Sequence, residues 1–285
     1  MPVLEPLRKI NVGFFRYGLS VMSQQVFFAH ANGFPSATYG KLFAALAPDY
    51  RVCHLPQHAH DPRFPVNDNW LRLVDELIHH LEQQHQPVWG VGHSLGGVLH
   101  LHAALRCPQL YRGVVMLDSP VLTLADQWLI RLAKRWGFID RITPAGRTQG
   151  RREAFDDIDQ ARAYFASKTL FRAFDPECLE AYLQHGLIHD GEALRLSFDP
   201  AIEMSIYRSI PHTRPASPGQ LQVPLAMVRG SHSRIVRPHH TQAVRRMPRG
   251  ENHSVAGGHM FPLERPDETA QLIRTLFQRW QETPS

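Results

Sequence analysis

The chain has 285 residues, enough for one large α/β domain with an inserted lid or for two small domains. Its apolar content of 43% and charged content of 20% are those of an ordinary globular protein, and its longest apolar runs are too short for a membrane span. The net charge of +5, from 31 basic and 26 acidic side chains, comes with no zinc-finger, RNP or basic-zipper pattern, so nucleic acid is not an expected partner.

Met1 to Ile10 carries Glu5, Arg8, Lys9 and two prolines in place of an apolar stretch, so no signal peptide is expected. Val26 to Ala29 and Arg51 to Leu55 read as buried strands. Trp70, Leu71, Val74, Leu77, Ile78 and Leu81 repeat at helical spacing. Val88 to Val91 is a third strand, followed by Gly92-His93-Ser94-Leu95-Gly96-Gly97 and a helix through Arg106 that contains Leu99, Ala103 and Leu105. Val114 to Leu117 is a fourth. After Pro120 the alternation stops. Ala125, Trp128, Leu129, Leu132, Ala133 and Trp136 form a helical stripe, expected to lie over the edge of the sheet, and further helices are predicted over Ile158 to Phe171 and Pro176 to Gly186. Pro211, Pro215 and Pro218 mark the return to the sheet, with Leu225 to Val228 as the next strand and Glu264 to Trp280 as the closing helix. Alternating strand and helix predicts a doubly wound, mostly parallel sheet. The division is a core in two parts, 1–120 and 218–285, with a helical cap over 121–217.

Functional groups in such a sheet collect at the carboxyl ends of its strands. Gly92-His93-Ser94-Leu95-Gly96 is a G-x-S-x-G between a strand and a helix, which is the setting of a nucleophile elbow: a tight turn that exposes the serine hydroxyl above the sheet. A side chain at Gly92 or Gly96 would collide where strand and helix pass closely. His259, in Ala256-Gly257-Gly258-His259-Met260-Phe261-Pro262, sits in a glycine-flanked loop before the last helix and is the candidate general base among 18 histidines. The oxyanion hole calls for two backbone amides. One is Leu95, next to the nucleophile; the other is Asn32 or Phe34 in the loop His30-Ala31-Asn32-Gly33-Phe34-Pro35, with His30 bracing that loop.

These three motifs together resemble the α/β-hydrolase superfamily over nearly the whole chain. Phe171 to Gly191, with Tyr182, His185-Gly186 and Asp190-Gly191, resembles a subgroup with an H-A-x-G-F oxyanion loop that includes carboxylesterases and lipases. The resemblance implies a Ser–acid–His triad. Most relatives place the acid in a G-x-x-D-x-x-V segment. Here that segment is Gly230-Ser231-His232-Ser233-Arg234-Ile235-Val236, and Ser233 stands where the aspartate belongs. A serine cannot offset an imidazolium. Asp118, 24 positions after Ser94 at the end of the preceding strand, is the candidate replacement, a site some small esterases of the superfamily use. Its plain alternative is a turn cap before Ser119-Pro120.

The expected function is hydrolysis of a small carboxylic ester or thioester through an acyl-enzyme on Ser94, with the triad Ser94, Asp118 and His259. Haloperoxidase, carbon–carbon hydrolase or acyltransferase chemistry is compatible with the same triad, and Ser233 favours a non-catalytic binding protein as the rival. No dinucleotide fingerprint, Walker loop or H-E-x-x-H is present, so no cofactor is implied, and the pairs His79-His80 and His239-His240 and the group His54, His58 and His60 are read as loop and surface histidines. Arg131, Lys134, Arg135, Arg141, Arg147, Arg151 and Arg152 read as a solvated helix face, or as an electropositive rim attracting acidic substrates such as an acyl-thioester of a phosphorylated carrier. Cys53, Cys107 and Cys178 do not make a disulfide framework, and Cys53 and Cys107 are expected to be inert core thiols; a reducing, cytoplasmic setting is the default.

Overall fold

A computed structural model describes residues 24–148, 150–191, 193–213 and 218–282. The expectations for Met1 to Ile10 and Pro215 lie outside them. The chain enters through β1 (Gln24–Ala29), α1 (Gly40–Leu46) and β2 (Tyr50–His54), then α2 (Leu71–Glu82), β3 (Val88–His93), α3 (Leu95–Arg106) and β4 (Tyr111–Leu117). It then leaves the sheet for α4 (Leu124–Arg135), the single turns α5 (Ile139–Ile142) and α6 (Ala145–Thr148), β5 (Ala154–Phe155), α7 (Ile158–Ser167), α8 (Pro176–His185), β6 (Leu187–Asp190), β7 (Ala193–Leu196) and α9 (Pro200–Arg208). It returns through β8 (Leu225–Gly230), α10 (Pro238–Arg245), β9 (Gly250–Val255), α11 (Phe261–Glu264) and α12 (Pro266–Glu282).

The main sheet has six strands in the order β2-β1-β3-β4-β8-β9, every neighbouring pair parallel. Its central strands carry apolar runs such as Val88–Val91 and Val114–Leu117 because helices cover both faces. The pleat sends alternate residues to opposite cores: Val115 and Leu117 join the cluster under α1 and α12, while Val114 and Met116 join the one under α2 and α3. Cys178 is fully buried, whereas Cys53 and Cys107 are only half-buried; all three are free thiols.

Three differences from the sequence reading have physical causes. The sixth strand, β9, reads Gly-Glu-Asn-His-Ser-Val; it is an edge strand with one neighbour, so no apolar run announces it. The inserted segment is not purely helical: β5, β7 and β6 form a small antiparallel sheet. Its strands are two to four residues long and expose side chains such as Ile188, too little for an alternation to register. The stripe on α4 does not lie over the sheet. The buried positions of that helix are Gln127, Ile130 and Ala133, and Leu124, Trp128, Leu129 and Trp136 face outward. Polar anchors hold it this way. Gln127 donates to Leu122 O at 3.1 Å, and the Lys134 ammonium reaches Ile210 O at 2.7 Å and pairs with Asp68.

Candidate active site

Ser94 follows β3 directly and holds φ 52°, ψ −111°, a conformation side chains rarely adopt. Two close passes explain the flanking glycines. A Cβ on Gly92 would sit 2.3 Å from the Gly96 carbonyl carbon, and one on Gly96 would sit 2.0 Å from Ala29 O. The turn is fixed by Ser94 N–H donating to Leu117 O at 2.9 Å, so β3 and β4 jointly set the serine's height. Ser94 is half-buried, and Leu95 opens α3 with its amide among the first-turn donors that the helix itself leaves unpaired.

Asp118 follows β4 and is the second strand-end residue with positive φ, 44°. Its carboxylate is fully buried and closely served. Oδ1 accepts from Gly230 N at 2.9 Å; Oδ2 accepts from Ser233 Oγ at 2.5 Å and lies 2.7 Å from His259 Nδ1. Ser233 is therefore placed where an aspartate was expected, but its hydroxyl points at the carboxylate of Asp118. It also accepts from Ile235 N at 3.1 Å, which orients its proton toward Asp118. A turn-capping role alone does not account for these contacts, because they come from β8 and the His259 loop and not from the turn that follows Asp118.

His259 is held from two sides. Glu264 Oε2 accepts from Gly258 N at 2.8 Å and steadies the loop. His93 Nε2 lies 2.9 Å from His259 O, and the two rings are 5.1 Å apart, which brings His259 to the elbow. His93 belongs to a longer chain of hydrogen bonds that no local motif announces. Ala31 N–H donates to Tyr39 Oη at 3.4 Å, Tyr39 Oη–H donates to His93 Nδ1 at 2.7 Å, and His93 Nε2–H donates to His259 O. Burial, and then the neighbouring His259, push the His93 pKa well down, so it stays neutral with one donor and one acceptor, as the chain requires. Loops after β1 and β9 are thereby tied together through β3.

The loop after β1 is braced as expected by His30: Nε2 accepts from His58 N at 2.7 Å, so the proton is on Nδ1, which donates to Ala31 O at 2.8 Å. Phe34 N–H is taken up by Ala31 O at 3.1 Å in a turn, whereas Asn32 N–H has no such internal acceptor among the described contacts. Gly33, at φ 80°, is covered by the cap: a Cβ there would sit 2.9 Å from Glu203 Oε1. Asn32 Nδ2 donates to Glu203 O at 3.0 Å. Glu203 itself, on α9, is buried and paired with Arg151, whose Nη1 donates to Oε1 at 3.3 Å. Burial raises the Glu203 pKa, and Arg151 opposes that rise. The Phe34 ring packs 5.2 Å from Tyr182 and 5.9 Å from Phe171 of the cap. Glu203, Arg151, Tyr39 and Ser233 are the site residues that sequence reasoning missed or misread. Each makes a contact with a residue far along the chain: Tyr39 with His93, Arg151 with Glu203, Glu203 with Asn32 and Ser233 with Asp118.

His239 and His240 converge on Asp126 at the start of α4, with nitrogen–oxygen distances of 3.1 and 3.4 Å. Metal ligation by this trio conflicts with the hydrogen bonding, because His240 Nδ1 accepts from Arg237 N at 3.1 Å. The proton then belongs on Nε2, the atom facing Asp126, so His240 is neutral and the trio is a polar tie between α4 and α10. The basic stretch is divided. Lys134 and Arg151 are paired inward and Arg131, Arg135 and Arg141 are exposed; the side chain of Arg147 lies outside the described residues.

A sequence profile described as the alpha/beta hydrolase family matches residues 26–272, and the chain belongs to that family. Pimeloyl-[acyl-carrier protein] methyl ester esterase of Shewanella woodyi is 36% identical over 107 residues, 36% of this chain and 39% of that protein's length. Among solved structures, E-2-(acetamidomethylene)succinate hydrolase superposes with TM-score 0.70 at 20% identity over 90% of this chain and 91% of its own. The thioesterase domain of the curacin biosynthetic pathway gives 0.67 at 18% identity over 89% and 92%. These likenesses carry the fold. No helix among the described residues is long and apolar enough to cross a membrane.

Proposed function

We propose that the protein is a serine hydrolase of a small carboxylic ester or thioester. The observation that carries this reading is the buried carboxylate of Asp118, 2.7 Å from His259 Nδ1, with both of its oxygens hydrogen-bonded. That bond leaves His259 Nε2 for the serine. In this reading His259 takes the proton of Ser94 as its oxygen bonds to the acyl carbon, and Asp118 holds the tautomer and offsets the imidazolium. The oxyanion rests on the amides of Leu95 and Asn32; Phe34 N–H is already spent, so the choice between the two falls on Asn32. His259 then protonates the leaving alcohol or thiol, and water, deprotonated by His259, releases the acid and restores Ser94. The esterase name of the Shewanella woodyi relative favours an ester over the other chemistries open to this triad.

The rival, a binding protein of the same fold, drew its support from Ser233. The hydrogen bond from Ser233 to Asp118 removes that support, since the position serves a carboxylate one strand away. A panel of p-nitrophenyl esters and acyl-thioesters of graded chain length tests the proposal. Turnover is expected with at least one class and lost by about 10⁶-fold in Ser94→Ala. Equal turnover by Ser94→Ala, or none by the unaltered chain on any substrate, contradicts it.

A further inference from the structure

Helix α4 carries its apolar side toward solvent. Leu124, Trp128, Leu129 and Trp136 are 62%, 65%, 48% and 73% exposed, and Ile142, one short turn on, is exposed as well. At about 100° per residue, Leu124, Trp128, Leu132 and Trp136 fall within roughly a third of the helix circumference, opposite the buried Gln127, Ile130 and Ala133. Isolated exposed apolar side chains are common, but two outward tryptophans among leucines on one helix form a contiguous patch of the kind that marks an interaction site. The exposed charges around it that lack an ion-pair partner among the described residues are positive. Arg131, Arg135 and Arg141 are exposed and make no ion pair among the described residues. Of the nearby acids, Asp140 is paired with Arg208 and Asp68 with Lys134, while Asp126 is half-buried and hydrogen-bonded to Thr123 and His239.

We propose that α4 docks the protein on an anionic lipid surface. Indole rings favour the headgroup level of a bilayer, leucines favour the acyl boundary beneath it, and arginines are drawn to anionic headgroups. A helix of twelve residues lies along such a surface without crossing it. A second copy of this chain is a poorer occupant, because a two-fold contact sets this same arginine-bearing patch on both sides of one interface with no acidic complement. A protein partner would need a groove shaped for a protruding helix, which a fluid headgroup layer does not. The docking requires nothing of Ser94, so it is tested apart from hydrolysis.

The experiment is sedimentation of the full chain with vesicles of phosphatidylcholine alone and of phosphatidylcholine with phosphatidylglycerol, followed also by tryptophan emission. The chain has five tryptophans, of which Trp70 and Trp89 are buried, so a blue shift on binding reports largely on Trp128 and Trp136. The protein is expected to sediment with the phosphatidylglycerol vesicles, to do so less as salt rises, and to bind phosphatidylcholine at least about tenfold more weakly. Arg131→Glu/Arg135→Glu and Trp128→Ser/Trp136→Ser should each lower the partition by about tenfold or more while leaving turnover of a short, water-soluble ester unchanged. The proposal fails if the unaltered chain binds neither vesicle, if both double variants bind as it does, or if sedimentation without lipid shows a dimer that Trp128→Ser/Trp136→Ser dissolves.

Discussion

The ends of β4 and β8 are neighbours in the sheet and carry opposite halves of one interaction. The β4 end supplies a carboxylate and the β8 end supplies a hydroxyl and a backbone N–H that donate to it. In relatives with the common segment the carboxylate stands at the β8 position. In this chain the carboxylate that meets His259 stands at the end of β4, and the β8 end donates to it. What counts is where the carboxylate oxygen arrives relative to His259 Nδ1, and adjacent parallel strands can each deliver it there.

The most severe way to break this comparison is Asp118→Asn. It keeps the size of the side chain but removes the charge, and kcat is expected to fall by about 10⁴, the loss seen when a triad acid is made an amide. A loss of under about tenfold would return Asp118 to the role of turn cap. Combining Asp118→Ser with Ser233→Asp sharpens it, because the two strand ends then exchange roles. The double variant should recover at least about tenfold of the rate lost by Asp118→Ser alone, read as kcat on the same ester. No recovery would mean that the β8 end can no longer reach His259.

A third strand end extends the comparison. The loop after β1 is held by the cap through Glu203 as well as by β3 through Tyr39 and His93. Glu203→Ala leaves the half-buried Arg151 without its partner and uncovers Gly33; kcat should fall about 10- to 100-fold with KM little changed, and Glu203→Gln should restore most of it. The smallest effect is expected from Ser233→Ala, which removes one of the donors to the Asp118 carboxylate. The hydrogen bond to a charged group is worth about 1.5–3 kcal/mol, and about a tenfold fall in kcat is expected because Gly230 N and His259 still serve the carboxylate. A Ser233→Ala loss as large as that of Asp118→Asn would show that the two ends are not donor and acceptor in the way described.

The parallel sheet and the elbow were legible because their signals are local. Strands buried on both faces are apolar runs, and Gly92 and Gly96 mark a turn whose tightness lies within five residues. His259 was legible for the same reason, through its glycine-flanked loop. Asp118 could be reached only by noticing that Ser233 was wrong for its place. Tyr39, Glu203 and Arg151 were not legible: a buried tyrosine in the turn before α1, or a glutamate on a cap helix, has nothing in its neighbours to say which group it will meet. The outward stripe of α4 misled for a related reason. Periodicity finds the apolar side of a helix but does not say whether that side faces the protein, and here Gln127 and Lys134 anchor the opposite one.

The central claim is that Ser94 is activated through His259 by a carboxylate on β4. The most direct measurement is the rate at which a fluorophosphonate modifies the protein, with the adduct located by mass spectrometry, in the unaltered chain and in Asp118→Asn. The account predicts an adduct on Ser94 that forms at least about 10³-fold more slowly in Asp118→Asn at unchanged thermal stability. Equal rates in the two proteins, or an unaltered chain that takes no adduct at Ser94, would contradict it.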